Sequence, residues 1–319
     1  MTKVYITDYV NDPTIEREIL GNNLAKAASK DVEVLLVWHQ TVNTEFLDAF
    51  PNLKAVVRYG VGFDAIDLVE ATKRGIVVCN TPDYGTEEVS DTAIAMIVNI
   101  TRGVTRYDYA CRNYTDDWQE NVIPSIKRNS EIKLGVIGAG RIGASVLLKA
   151  KALRLQTGFY DPYVPRGHEK TLDSTRTNSL EELLKNSDII SIHCPLNEET
   201  EGLVNASFLS KMKHGASLVN TARGKIISTI DDFYEPLKNG HLSNVSLDVI
   251  PDEPPKPSKL IDAWRNREHW LGGRFILNPH TAYFSDTAYR EMRQKAALNA
   301  KRVLEKKMPF NVLNKVNTG

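Results

Sequence analysis

Cysteine is scarce: Cys79, Cys111 and Cys194 are odd in number and widely spaced. A disulfide framework is therefore excluded, and with no C-x-x-C pair so is a cysteine-based structural zinc site. Such usage fits a reducing cytosol. An excess of one charge is also absent, because 40 Lys plus Arg balance 40 Asp plus Glu, leaving no global field to draw the chain to nucleic acid or an anionic membrane. Its partners are expected to be small molecules. No apolar run approaches the ~20 residues of a membrane span, and Met1-Thr2-Lys3-Val4-Tyr5-Ile6-Thr7-Asp8 lacks a signal peptide's apolar core. The expectation is a soluble, cytoplasmic chain. Internal repeats and low-complexity tracts are missing, and no H-x-x-x-H or His-carboxylate spacing suggests a metal.

What is present is a regular alternation of strand-length apolar runs and helical periods, the pattern of parallel α/β architecture. With 319 residues the chain fits two compact units, each with its own core. Strands are expected at Val4–Thr7, Val34–Trp38, Ala55–Arg58 and Ile76–Cys79, forming one small open sheet. A second series follows at Leu134–Ile137, Thr157–Tyr160, Ile189–His193, Ser217–Asn220, Val245–Leu247 and Phe275–Leu277, six strands as in a full dinucleotide fold. Between the series, Val89, Ala93, Met96, Ile97 and Ile100 recur at helical spacing from Thr86 to about Arg102, a candidate bridge between domains. A last helical pattern, Ser285 to Lys307, has no strand after it in the second sheet and is expected to cross back to the first. The proline-rich stretch Asp252 to Ser258 is expected as a loop.

Lys133 to Ile137 reads as a strand that breaks into Gly138, Gly140 and Gly143 at G-x-G-x-x-G spacing and reopens as a helix. In a dinucleotide-binding βαβ unit the first glycine makes the turn, the second admits a pyrophosphate and the third lets helix pack on strand. Arg141 and Ile142 open the helix, where unpaired amides and the positive dipole end face an anion. The next strand ends in Asp161, where a ribose-binding carboxylate is expected; it favours NAD(H) and repels the extra phosphate of NADP(H). Arg166, five positions on, keeps NADP(H) as the less favoured alternative.

Ligands of such sheets bind outside the carboxyl ends of the strands. Polar groups gather there in His193-Cys194-Pro195-Leu196, Asn220-Thr221-Ala222-Arg223-Gly224, Asp248 to Pro254, and Asn278-Pro279-His280-Thr281-Ala282-Tyr283. With Arg58-Tyr59-Gly60-Val61-Gly62-Phe63-Asp64 and Gly75 to Pro82 added, the chain resembles the D-2-hydroxyacid dehydrogenase family. That family contains phosphoglycerate dehydrogenase, glyoxylate/hydroxypyruvate reductase and the C-terminal-binding proteins, and the last branch is the most similar.

The resemblance implies two Rossmann-like domains, a six-stranded-core parallel NAD-binding domain (85–284) inserted into a smaller flavodoxin-like substrate domain (1–84 and 285–319). It implies hydride transfer between NAD(H) and a 2-keto or 2-hydroxy acid, or alternatively an NAD(H)-sensing, corepressor-like binding module. Arg223, Glu253 and His280 become the catalytic set. Arginine offers a fork for a carboxylate, histidine a proton near neutrality, and Glu253 would orient that histidine. Gly60, Val61 and Gly62, flanked by Tyr59, are implied to bind the substrate carboxylate, with Tyr283 beside the substrate. His193 and Pro195 fall on the cofactor side, and Thr221, Ala222 and Asp248 near the nicotinamide. His39, His168, His214, His241 and His269 are read as ordinary solvated residues. The segment Gly103 to Asn121, with Tyr107, Tyr109, Tyr114 and Trp118, corresponds to an arm that builds a homodimer. The long stretch from Glu253 to His280 carries Lys256, Lys259, Arg265, Arg267 and Arg274, either to select an extra anionic group or as a solvated or subunit-contact excursion.

Overall fold

A computed structural model of the chain describes residues 3–112, 118–123 and 125–316. The chain divides into two compact units, 1–85 with 284–319, and 86–283. In the first unit, β1 (Val4–Ile6), β2 (Val34–Val37), β3 (Ala55–Arg58) and β4 (Val77–Cys79) form a parallel sheet in the order β1-β2-β3-β4. β2 is buried along its whole length, which is why Val34 to Val37 form a continuous apolar run rather than an alternating one. The helix Asp286–Leu304, capped by Ser285 Oγ accepting from Ala288 N at 3.0 Å, packs on β2, β3 and the helix Thr14–Leu20. The chain's last long helix thus returns to the first sheet.

In the second unit, β5 (Lys133–Ile137), β6 (Gln156–Tyr160), β7 (Thr175–Arg176), β8 (Ile189–Ile192), β9 (Ala216–Asn220), β10 (Leu242–Leu247) and β11 (Phe275–Leu277) form a parallel sheet ordered β11-β10-β9-β8-β5-β6-β7. Six of these are the expected strands. The seventh, β7, is two residues at the edge beside β6, too short to carry a period of its own. The order reverses between β5 and β8, and such a switch point opens a crevice at the strands' carboxyl ends. The helix Thr86–Arg102, with Glu87 and Glu88 in its first turn, packs on the helix Arg141–Ala152 and on β9, all within this unit.

The long basic stretch is built into the core of the second unit. Its helix Lys259–Arg265 buries Leu260, Ile261 and Ala263, and Trp264 lies edge-on to Phe275. Lys256 pairs with Asp252, and Arg274 donates to Trp270 O at 2.6 Å. Arg274 is thereby committed to the stretch's own structure, while Lys256 stays exposed in its pair with the preceding Asp252.

Candidate active site

The glycine turn follows β5 because an ordinary side chain does not fit there. Gly138 has φ +87°, and a Cβ on it would lie 2.7 Å from Cys194 N, on the loop after β8. A Cβ on Gly143 would overlap Gly138 O, whereas one on Gly140 would meet nothing within 4 Å. The turn therefore faces open space at its middle glycine. The first bond of the following helix runs from Ala144 N to Gly140 O, so the amides of Arg141 and Ile142 lie in the unpaired first turn. Asp161 braces the turn: its Oδ2 accepts from Ala139 N at 2.8 Å, and its Oδ1 from Tyr163 N and Val164 N. On the other side, His168 Nε2 lies 3.0 Å from Ala139 O, with its ring edge-on to Phe159.

His168 was expected to be a solvated residue and is instead a brace of the nucleotide turn. His241 likewise bonds Leu209 O at 2.8 Å. Only the packing of the helix His168–Leu172 brings the first of these to the turn, so no local signal in the sequence marked it.

On the opposite side of the switch point, His193 Nε2 is 2.8 Å from Ser191 Oγ, while Nδ1 is buried without a hydrogen-bond partner among the described residues. Burial pushes its pKa down to about 3, so the imidazole is neutral near pH 7. Thr221 Oγ1, after β9, is likewise buried and unpartnered among the described residues. Buried polar atoms ordinarily have partners, and two orphans beside a glycine turn open at Gly140 fit a dinucleotide that supplies polar contacts. Pro195, exposed, accepts from Thr200 Oγ1 at 2.6 Å through its carbonyl.

Three loops at the carboxyl edge converge on one cluster. After β9, Asn220 ties the turn by accepting from Ala222 N at 2.9 Å and donating to Arg223 O at 3.0 Å. Gly224 then packs so tightly on Ile250 that a Cβ would overlap the Ile250 carbonyl, which sets Arg223 beside the loop after β10. In that loop Glu253 Oε1 accepts from Ile250 N at 3.1 Å, and Oε2 lies 2.7 Å from His280 Nδ1. Burial alone would raise the Glu253 carboxyl, but the bond and charge of His280, the Ile250 amide and the Arg223 guanidinium outweigh it and hold its pKa below the usual range.

His280 takes φ +56°, a region costly for a residue with a Cβ. Asp248 holds it there. Buried to 1% exposure, its carboxylate accepts from Thr281 N at 3.0 Å and Ala282 N at 2.9 Å, while its carbonyl accepts from His280 N at 2.8 Å. Asp248, expected at the nicotinamide, is thus first of all the clamp of the His280 turn, and burial raises its pKa in spite of the two amides. Ala222 and Tyr283 are half-buried in this unit.

The expected carboxylate loop lies in the first unit and departs from expectation at two points. Tyr59 is fully buried, and its hydroxyl donates to Glu16 Oε1 at 2.9 Å, so its side chain faces the core. Gly60 N–H donates to Thr81 Oγ1 at 2.5 Å. Val61 and Gly62 have no amide bond to another described residue.

Residues 94–282 match the family described as D-isomer specific 2-hydroxyacid dehydrogenase, NAD binding domain. A glyoxylate reductase of Thermofilum pendens is 34% identical over 306 residues, 95% of this chain and 86% of that protein. The chain belongs to the D-2-hydroxyacid dehydrogenase family. Within the wider set of relatives, C-terminal-binding protein 1 of Caenorhabditis elegans is 32% identical over 301 residues, 92% of this chain but only 40% of that protein. Among solved structures, D-lactate dehydrogenase from Aquifex aeolicus, complexed with NAD and lactic acid, has a TM-score of 0.86 at 29% identity, covering 98% of this chain and 99% of that one. The two-unit, parallel-sheet architecture is that of the dehydrogenase family along nearly the whole chain.

Proposed function

We propose that the chain is an NAD-dependent D-2-hydroxyacid dehydrogenase that interconverts a small 2-keto acid and its 2-hydroxy acid, with His280 as the acid/base. The observation that carries this reading is the 2.7 Å bond between Glu253 and His280, with the Arg223 guanidinium near enough to lower the Glu253 pKa. With Nδ1 held by the carboxylate, Nε2 is left to give a proton to the substrate's carbonyl oxygen and to take it back in the reverse direction. Glu253 stays ionised near neutral pH and stabilises the imidazolium. Arg223 offers a planar fork for the carboxylate or the adjacent carbonyl. When bound, NAD(H) supplies or accepts the hydride.

For the cofactor we assign Gly138, Gly140, Gly143, Arg141 and Ile142 to the pyrophosphate, Asp161 to the ribose, and His193, Pro195, Thr221 and Ala222 to the nicotinamide half. Asp248 would add only the lone pairs its two amide bonds leave. A carboxylate at position 161 repels a 2′-phosphate, so NAD(H) is preferred over NADP(H). Val61 and Gly62 are assigned to the substrate carboxylate and Tyr283 to the substrate's side arm.

A homodimer is proposed on two features: the helix Val104–Arg112 buries none of its residues, and Val104 and Trp118 are more than half exposed. Tyr114, the remaining aromatic of that arm, lies outside the described residues. Light scattering showing a monomer at micromolar concentration would contradict the dimer. No described helix is long and apolar enough to cross a membrane, and the three cysteines are free thiols; a cytoplasmic location is proposed on that basis.

The decisive experiment is an NADH- and NADPH-coupled screen of glyoxylate, hydroxypyruvate, pyruvate, branched 2-keto acids and phosphonopyruvate. Turnover of at least one substrate with NADH is expected. No turnover with any of them, together with NADH-dependent peptide binding, would instead favour the binding-module reading suggested by the C-terminal-binding protein relative.

A further inference from the structure

We propose that Glu16, Tyr59 and Arg293 are positioning residues that fix the register of the Gly60-Val61-Gly62 loop; the inference rests on that loop's assignment to the substrate carboxylate. Glu16, on the helix Thr14–Leu20, is completely buried and Arg293, on the helix Asp286–Leu304, nearly so. The guanidinium grips the carboxylate as a fork, Nε to Oε1 at 2.8 Å and Nη2 to Oε2 at 2.5 Å, and Nη2 also reaches Asp12 O. Tyr59 Oη donates to the same Oε1 at 2.9 Å, and its ring lies 5.4 Å from that of Trp38.

Burying two full charges is a poor route to stability, since desolvation offsets most of their attraction. What the arrangement supplies is a single geometry. The fork orients the carboxylate, the carboxylate holds the Tyr59 hydroxyl, and the next residue is Gly60 at φ +115°. From the β4 side, Thr81 exchanges hydrogen bonds with Gly60, and Asn80 Nδ2 donates to Val61 O at 2.6 Å. The loop is thus pinned on both flanks, with the Val61 and Gly62 amides left between the pins. Donors displaced by even ~1 Å can lose up to ~100-fold in rate, which is reason enough for a rigid mount.

The test uses Tyr59→Phe, which deletes one hydroxyl, and the double variant Glu16→Gln, Arg293→Met, which removes both charges together. Glyoxylate, hydroxypyruvate and pyruvate serve as probes, with KM for each keto acid, KM for NADH, kcat and melting temperature measured. A roughly 10-fold rise in keto-acid KM is expected in both variants, with KM for NADH unchanged. The double variant should melt within a few degrees of wild type. Loss of kcat and melting temperature with an unchanged keto-acid KM would make the cluster merely structural and overturn the inference. Keto-acid KM unchanged in Tyr59→Phe, in an otherwise active enzyme, would overturn it alone. A wild-type protein inactive on all three probes would remove the functional reading, and the inference with it.

Discussion

His193 gives the sharpest test of how burial divides labour between the two histidines at the nucleotide sheet. Its pKa is near 6.5 in an unfolded chain and about 3 when folded, because the half-buried ring is desolvated and its side chain bonds only Ser191 among the described residues. Below pH 6.5 the unfolded chain takes up a proton that the folded one refuses. Stability is therefore full above pH 6.5 and is lost progressively as pH falls towards 3. Each pH unit in that window is worth about 1.4 kcal/mol, so roughly 2 kcal/mol is lost through this residue by about pH 5. His193→Gln keeps a polar group of similar reach but binds no proton. Urea melts of both proteins at about pH 7 and pH 5 should show a loss on acidification that is smaller in the variant by about 2 kcal/mol. Other titrating groups are common to both proteins and cancel in the comparison. Equal losses in the two proteins would show that His193 titrates normally. The reading of His193 as a neutral group near pH 7, which leaves the acid/base role to His280, would then fail.

Other expectations concern the rest of the site. His280→Asn should lower kcat by ~10²- to 10⁴-fold while leaving NADH affinity, read by fluorescence titration, unchanged; a variant that keeps its turnover excludes His280 as the acid/base. Asp161→Ala removes the acceptor of Ala139 N and should raise KM for NADH about 10-fold or more while raising KM for NADPH far less. An unaltered ratio of the two would refute the assignment of position 161 to the ribose. Gly138→Ala puts a Cβ at φ +87° within 2.7 Å of Cys194 N, at a cost of at least about 1–2 kcal/mol from backbone strain alone. A lower melting temperature and lost NADH binding are expected, and normal binding would show that the turn yields.

Much of the fold is legible from residues that stand close together in the chain. Period and composition marked ten of the eleven described strands, the helices Thr86–Arg102 and Asp286–Leu304, and the glycine turn with Asp161, because each of these depends on neighbours a few residues away. The seventh strand of the second sheet escaped because two residues carry no period. Tertiary structure decided the rest. Glu253 and His280 are 27 positions apart, and only the parallel order of β9, β10 and β11 brings their loops beside Arg223. The same holds for His168, which reaches Ala139 O across 29 positions, and for Tyr59, whose hydroxyl meets a carboxylate 43 positions away rather than solvent. Local propensity is written in adjacent residues, whereas the partner of a buried polar group is chosen by which segments the sheet order and core packing press together.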